Sequence, residues 1–257
     1  MKTAVAIQNL SFAYDKQSPP VISDMNFSLA PGTVTAILGA NGVGKTTLLY
    51  ILLGLYLPNK GELFFFKKPV SHYKTGRIKQ LIGMVSQNET LPFDLSVEEY
   101  VLLGRAPHLG LLTIPGKADR EAVEIALATV GMAHMAQKTI TRLSSGEKQL
   151  VHVARALAQA PEILLLDEPC SHLDLMNTRR MLMLMKTIAE QGRTVLFTTH
   201  DPNAAAAVAH GIMLVKKGEL VAFGRAEDVL TSDLLTRTYG GSVEVVGTDH
   251  GPFVRTM

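Results

Sequence analysis

Gly39-Ala40-Asn41-Gly42-Val43-Gly44-Lys45-Thr46-Thr47 is the stretch whose reading decides the fold. It fits G-x-x-x-x-G-K-[ST], a phosphate-binding loop. Val34-Thr35-Ala36-Ile37-Leu38 before it suits a buried strand, and Leu48-Leu49-Tyr50-Ile51-Leu52-Leu53 after it continues as a buried helix stopped by Gly54. Strand, loop, helix is the context the pattern requires. Glycines let the backbone curl so that successive N–H groups face phosphate oxygens, and the helix dipole adds positive potential there. Lys45 can reach the β- and γ-phosphates, and the Thr46 hydroxyl can ligate Mg²⁺.

Bulk composition narrows the setting. The chain has 257 residues and 47% hydrophobic content, with a mean hydropathy of +0.18. That suits one large α/β domain with a sizeable core. A net charge of +2 is too small to argue for nucleic acid or an anionic membrane surface. Cys170 is the one cysteine, which excludes an internal disulfide and fits a reducing compartment. The N-terminus lacks the apolar region of a signal peptide. No run of about 18 apolar residues is present. The expectation is a soluble, cytosolic protein without repeats or low-complexity linkers.

Outward from the loop, residues 3–30 read as strands and turns. Val5 and Ile7 alternate with smaller or polar neighbours, Ser18-Pro19-Pro20 breaks the chain, and Met25-Asn26-Phe27-Ser28-Leu29 alternates again. Tyr14 lies between the first two strands; it suits either packing or stacking on an adenine ring. Leu63-Phe64-Phe65-Phe66 reads as a strand covered on both faces. Ile82-Gly83-Met84-Val85-Ser86-Gln87 is an apolar strand ending in an amide.

From about Leu91 to Pro161 the pattern is helical, with Val97 to Leu103 and Arg120 to Val130 at helical spacing and loop-like stretches between. Leu143-Ser144-Ser145-Gly146-Glu147-Lys148-Gln149 opens a helix whose Leu150, Val153, Ala154 and Leu157 share one face. Ser144 and Glu147 make a capping box, and the same helix end could instead bind an anion. Ile163-Leu164-Leu165-Leu166-Asp167-Glu168-Pro169 is an apolar strand delivering two carboxylates at its C-terminal end, where ligands bind in open α/β sheets. Side chains alternate along a strand, so one acid can serve a metal while the other faces a water. The methionines of the helix from Leu175 to Gln191 suit adaptable packing. Thr194-Val195-Leu196-Phe197-Thr198-Thr199-His200 is a further buried strand ending in a histidine. Residues 212–223 read as a hairpin, and the tail after Tyr239 has little pattern.

In this order the motifs resemble the ATP-binding subunit of an ATP-binding cassette (ABC) transporter, over roughly Val5 to Tyr239. Tyr14 resembles the A-loop aromatic, residues 39–47 the Walker A motif, Gln87 the Q-loop and residues 143–149 the signature motif. Leu164-Leu165-Leu166-Asp167-Glu168 resembles Walker B, Ser171-His172-Leu173-Asp174 the D-loop and His200 the switch histidine. The resemblance implies a P-loop NTPase (RecA-like) core, residues 1–87 and 161–240, with an antiparallel β subdomain, a helical lobe over about 88–160 and a short tail, residues 241–257, all in one domain.

It implies ATP and Mg²⁺ as cofactors. Thr46, Gln87 and Asp167 would serve the metal, Glu168 would polarise the attacking water, and Lys45, Gln87 and His200 would act at the γ-phosphate. Tyr14, Gly39, Ala40, Asn41, Gly42, Val43, Gly44, Thr46 and Thr47 would bind the nucleotide. Ser144, Gly146 and Asp174 would close on the ATP of a second subunit. A homodimer, or a pair of ATPase subunits, would thus hold two ATP molecules. It would sit on the cytoplasmic face of the inner membrane with two permease subunits and an indirect link to a substrate-binding protein, and without nucleic acid.

Two positions depart from the family pattern. Ser145 replaces a glycine, and in a left-handed backbone it would cost about 1 kcal/mol; His172 replaces a small residue. Leu103-Gly104-Arg105-Ala106-Pro107-His108 and Phe197-Thr198-Thr199-His200-Asp201-Pro202-Asn203 look like those of importers of metal chelates: ferric siderophores, haem, cobalamin or, in some relatives, molybdate. The alternatives are an exporter ATPase and a non-transport member. Lys45 and Asp167 are 122 positions apart without sustained heptads, which leaves no room for the long coiled coil of repair-type members.

Overall fold

The computed structural model describes residues 2–87, 89, 94–110, 112–249 and 251–256. The expected lobe start at 88, and Leu91, lie outside them. The strands are β1 (Val5–Phe12), β2 (Ile22–Leu29), β3 (Val34–Leu38), β4 (Lys60–Phe65), β5 (Lys68–Pro69), β6 (Ile82–Val85), β7 (Ile163–Leu166), β8 (Thr194–Thr199), β9 (Gly211–Lys216), β10 (Glu219–Gly224), β11 (Val243–Thr248) and β12 (Gly251–Thr256). The helices are α1 (Lys45–Leu52), α2 (Thr75–Leu81), α3 (Val97–Leu102), α4 (Lys117–Thr129), α5 (Ser145–Ala158), α6 (Leu175–Glu190), α7 (Pro202–Val208), α8 (Ala226–Val229) and α9 (Ser232–Tyr239).

The central sheet runs β10-β9-β3-β8-β7-β6. All its pairings are parallel except the β9–β10 hairpin. Its strands are apolar runs because both faces are covered. Val34, Ala36, Leu38, Leu164, Leu166, Val195 and Phe197 enter one core cluster with the α3–α7 helices. Ile37, Ile163, Leu165 and Leu196 point the other way, into a second cluster with α1 and the four-stranded sheet β2-β1-β4-β5. The period-2 alternation of a strand thus builds three layers from one sheet.

Several local readings change. β4 alternates buried Leu63 and Phe65 with half-buried Phe64, so it is covered on one face only. Phe66 leaves the strand with φ 49° and forms the tight turn to β5 with Lys67. Gly61, at φ +84°, lies so close to β1 that a Cβ would overlap the Gln8 and Asn9 carbonyl oxygens. The stretch from Gly104, expected as loop, is part of a 3-10 helix, Leu103–His108. Its Arg105 is held by Asp119 at 2.9 Å and by the Ala158 carbonyl at 2.8 Å. The tail, where the sequence shows little pattern, contains two strands. β11 and β12 pair as a hairpin, and the Asn203 amide of α7 exchanges two hydrogen bonds with the Val254 backbone.

A buried polar cluster ties the segment after β6 to α3 and α5. Arg155 donates to Glu89 at 2.5 Å and Tyr100 donates to its other oxygen at 2.5 Å. His152 Nδ1 lies 2.7 Å from the Tyr100 hydroxyl and 3.1 Å from Glu89. Burial pushes the Glu89 carboxyl up, but the His152, Arg155 and Tyr100 contacts outweigh it and hold the group down at about 2, against an ordinary 4.5. A folded-state value below the unfolded one adds stability above about pH 4.5, and that stability is lost as pH falls through 2. Glu89→Gln is therefore expected to cost about 1–3 kcal/mol at neutral pH, and the gap to wild type should close toward pH 2. Urea unfolding of both proteins across that range checks it; a gap independent of pH would contradict the ionic account.

Candidate nucleotide site

The loop after β3 enters α1 through Gly44, whose φ of 102° is open to glycine alone without strain. A Cβ there would also meet the Val21 carbonyl oxygen at 2.8 Å. Lys45, the first residue of α1, is only 7% exposed. Its ammonium donates to the Gly39 and Ala40 carbonyls at 2.8 and 3.3 Å and lies 3.4 Å from Glu168 Oε1. Glu168 Oε1 is buried and has no hydrogen-bond partner among the described residues, so the lysine holds it by charge alone.

Asp167 and Glu168 follow β7, and their carboxylates take different partners. Asp167 Oδ2 accepts from Thr46 Oγ1 at 2.8 Å, and Oδ1 accepts from Thr198 Oγ1 at 2.6 Å. The same Thr198 oxygen accepts the Glu168 N–H at 2.8 Å. Glu168 adopts φ 47°, a left-handed conformation unusual outside glycine and characteristic of strained functional positions. Its Oε2 meets His200 Nδ1 at 3.0 Å. One carboxylate is thereby set between the loop lysine and a histidine from the end of β8.

Around this pair lies a cavity of about 850 Å³. Tyr14, Asn41, Gly42, Gly44, Lys45, Thr46, Thr47, Gln87, Glu168 and His200, all expected at the site, line it. Tyr14 is 58% exposed at the rim. Its hydroxyl is 2.8 Å from Thr47 Oγ1, and its ring meets Phe12 and Tyr56 edge-on at 5.2 and 5.5 Å. Tyr14 therefore packs on this aromatic cluster, as the packing reading has it, while more than half of it stays exposed. Gly39, Ala40 and Val43 do not line the cavity. Gly39 and Ala40 support it through the Lys45 contacts, and Asp167 lies beneath it.

Ser144, Gly146 and Asp174 do not line this cavity either. Ser144 is the N-cap of α5 in a full capping box with Glu147. Backbone and side-chain hydrogen bonds from Ser144 hold the Glu147 carboxyl low. Asp174 caps α6, accepting from the Asn177 N–H and side chain at 2.8 Å. A Cβ on Gly146 would meet the Asn177 side chain at 2.6 Å. Ser145 is the first residue of α5 and has no left-handed backbone, so the penalty tied to that condition does not arise. The left-handed residue of that kind is His172, at φ 63°, and it lines the cavity.

Sequence reasoning missed Val21, Cys170, Thr178, Thr199, Asp201 and Ala204, which also line it, and Thr198, which links the two acids. Burial, with Asp201 and Glu168 nearby, pushes the Cys170 thiol up to about 12, so it is an inert wall residue. The donor set suits Mg²⁺: a hydroxyl and a carboxylate 2.8 Å apart are hard oxygen ligands. No cluster of three His, Cys, Asp or Glu side chains that could hold a metal ion is present among the described residues.

Comparison with known proteins agrees with this geometry. The ABC transporter family profile matches residues 22–171. The chain is 37% identical over 240 residues to the molybdate import ATP-binding protein MolC of Haemophilus influenzae, covering 93% of this chain and 89% of that one. It is 35% identical over 234 residues to the ferric enterobactin transport ATP-binding protein FepC of Escherichia coli, covering 91% and 86%. Among solved structures, an inward-facing metal-chelate type ABC transporter superposes with a TM-score of 0.86 at 34% identity, covering 99% of this chain and 97% of that one. The chain belongs to the ABC transporter family, as an ATP-binding, ATP-hydrolysing subunit of the kind found in importers.

Proposed function

We propose that this subunit powers import of a metal chelate or metal oxyanion, and that Glu168 is the group that activates water on ATP. The observation that supports the second point is the clamp on Glu168, buried between Lys45 and His200 at the cavity wall. A carboxylate so held is fixed in direction. The α1 N-terminus and loop amides would take the phosphates, with Lys45 swinging from the loop carbonyls to the β- and γ-oxygens. Thr46 and Asp167 would hold Mg²⁺, which neutralises phosphate charge. Gln87, next to them on the cavity wall, would sense metal and γ-phosphate, and His200 would contact the γ-phosphate. Tyr14 would stack on adenine.

Ser144, Gly146 and Asp174 are outside the cavity of their own chain, which fits a role in trans on a second subunit. The pair would then hold two ATP molecules and work at the cytoplasmic face of the membrane with two permease subunits. The helices between β6 and β7 would pass closure to the permease as a rigid body. Among the described residues no helix is long and apolar enough to cross a membrane. The substrate class rests on what similar proteins are named for: molybdate, ferric enterobactin, iron hydroxamate and hemin.

Glu168→Gln should lower kcat at least about 100-fold while nucleotide binding persists and dimers accumulate on ATP addition. Steady-state ATPase assays with size-exclusion chromatography read both, and wild-type turnover in that variant would remove the base assignment. Tyr14→Ala should weaken ATP binding by about 1–3 kcal/mol, whereas Tyr14→Phe, which keeps the ring and loses only the Thr47 contact, should stay near wild type; equal losses would point to the hydroxyl instead. Affinity capture of the subunit from gently solubilised membranes, with elemental analysis, should recover a polytopic permease and a metal-chelate-binding protein. Recovery of an exporter subunit would leave the ATPase intact and overturn the import reading.

A further inference from the structure

The net charge of +2 conceals a local asymmetry. Lys67, Lys68, Lys74, Arg77 and Lys79 fall within thirteen residues that contain no Asp or Glu, so the other 20 basic residues face all 23 acidic ones. All five are exposed, as is His72 among them. They occupy one continuous surface. The Tyr73 hydroxyl donates to the Phe65 carbonyl at 2.8 Å, and Lys68 Nζ lies 4.9 Å over the Tyr73 ring, which joins the β4–β5 turn to the approach of α2. Val70, Tyr73 and Ile78 turn inward against the second core cluster, so the cations are forced outward. Arg77 is paired with Glu162 at 2.8 Å, while Glu62 sits further along β4, opposite Gln8. The end of α2 is fixed to the helical side: Gln80 donates to the Pro107 carbonyl at 3.0 Å, and Gln159 donates to Lys79 O at 2.7 Å.

We propose that this face, from the β4–β5 turn through α2, docks on an anionic lipid surface. The inference deepens the peripheral membrane placement proposed above and rests on it. Chemistry favours lipid over an acidic protein segment. A specific protein interface is centred on buried aromatic or apolar anchors, and here those side chains are spent on the chain's own core. Four of the five cations are lysines, mobile point charges without the planar fork that pairs a carboxylate bidentately, and the one arginine is already engaged. Phospholipid headgroups can rearrange under such a diffuse field. Clusters of this size bind anionic bilayers at about 1 kcal/mol per Lys or Arg, roughly five-fold each.

The test uses the full chain, without permease, and sedimentation with phosphatidylcholine vesicles containing about 30% phosphatidylglycerol or none, at about 50 and 300 mM salt. Binding is expected to the anionic vesicles alone and to fade at the higher salt. The variant Lys67→Gln/Lys68→Gln/Lys74→Gln/Lys79→Gln should bind them roughly 500-fold more weakly with unchanged ATPase in solution. If that variant loses ATPase, Lys68→Gln and Lys74→Gln singly, each about five-fold weaker, replace it. Equal binding to neutral vesicles, no binding to either, full binding by the variants, or retention only on membranes carrying a permease would each overturn the proposal. Absence of ATP hydrolysis by the wild-type chain would instead count against the functional reading, whatever the vesicles show.

Discussion

The Asp167–Glu168 step at the end of β7 is the constraint on which the site depends. Two carboxylates follow one strand end and take different partners, and the second, Glu168, has a left-handed backbone. Asp167 then reaches Thr46 and Thr198, and Glu168 reaches Lys45 and His200. Residues from α1, β7 and β8, far apart in sequence, are held within a few ångströms. Strain of order 1–3 kcal/mol at such a residue persists only where the surroundings over-determine it. The Glu168 N–H bond to Thr198 and the fully buried flanks of β7 supply that surrounding.

The parallel ladder explains why the contacts fall where they do. Leu166 is registered against Phe197, so the residues one step beyond, Asp167 and Thr198, meet at the same height of the sheet. Leu38 is registered against Thr199, which brings the start of the phosphate loop level with the approach to His200. A one-residue slip of β8 would turn Thr198 to the opposite face and leave Asp167 Oδ1 buried without its donor.

This is also why part of the site was legible in sequence and part was not. The phosphate loop, the two acids and His200 follow apolar runs with one structural outcome, because a strand buried on both faces has no polar alternation to confuse it. Thr198 carries no such mark. Its role comes from register with a strand over thirty residues away, which no local pattern encodes. Ser145 is the opposite case: comparison with a family glycine leaves a left-handed backbone open, and the capping box commits the residue to helix. The tail was illegible because its order is borrowed. β11 and β12 pair with each other, bond to the Asn203 side chain of α7 and the Ser232 hydroxyl of α9, and bury Val243 and Val254 in the first core cluster, so much of what holds them lies outside their own composition.

The two helix caps outside the cavity are mechanically one unit. Gly146, in the first turn of α5, sits so close to Asn177 that no side chain fits between them, and Asn177 is bonded through its amide and its N–H to Asp174, the cap of α6. The N-terminus of α5 therefore cannot shift without displacing the cap of α6. Leu173 and His172, immediately before that cap, line the nucleotide cavity, and Ser171 bonds back to the Glu168 carbonyl at 2.8 Å. A continuous chain of contacts thus runs from the tip of α5 to the backbone of the strained glutamate. Close packing makes such a chain stiff rather than elastic, so a displacement at one end is passed on as a change of state at the other.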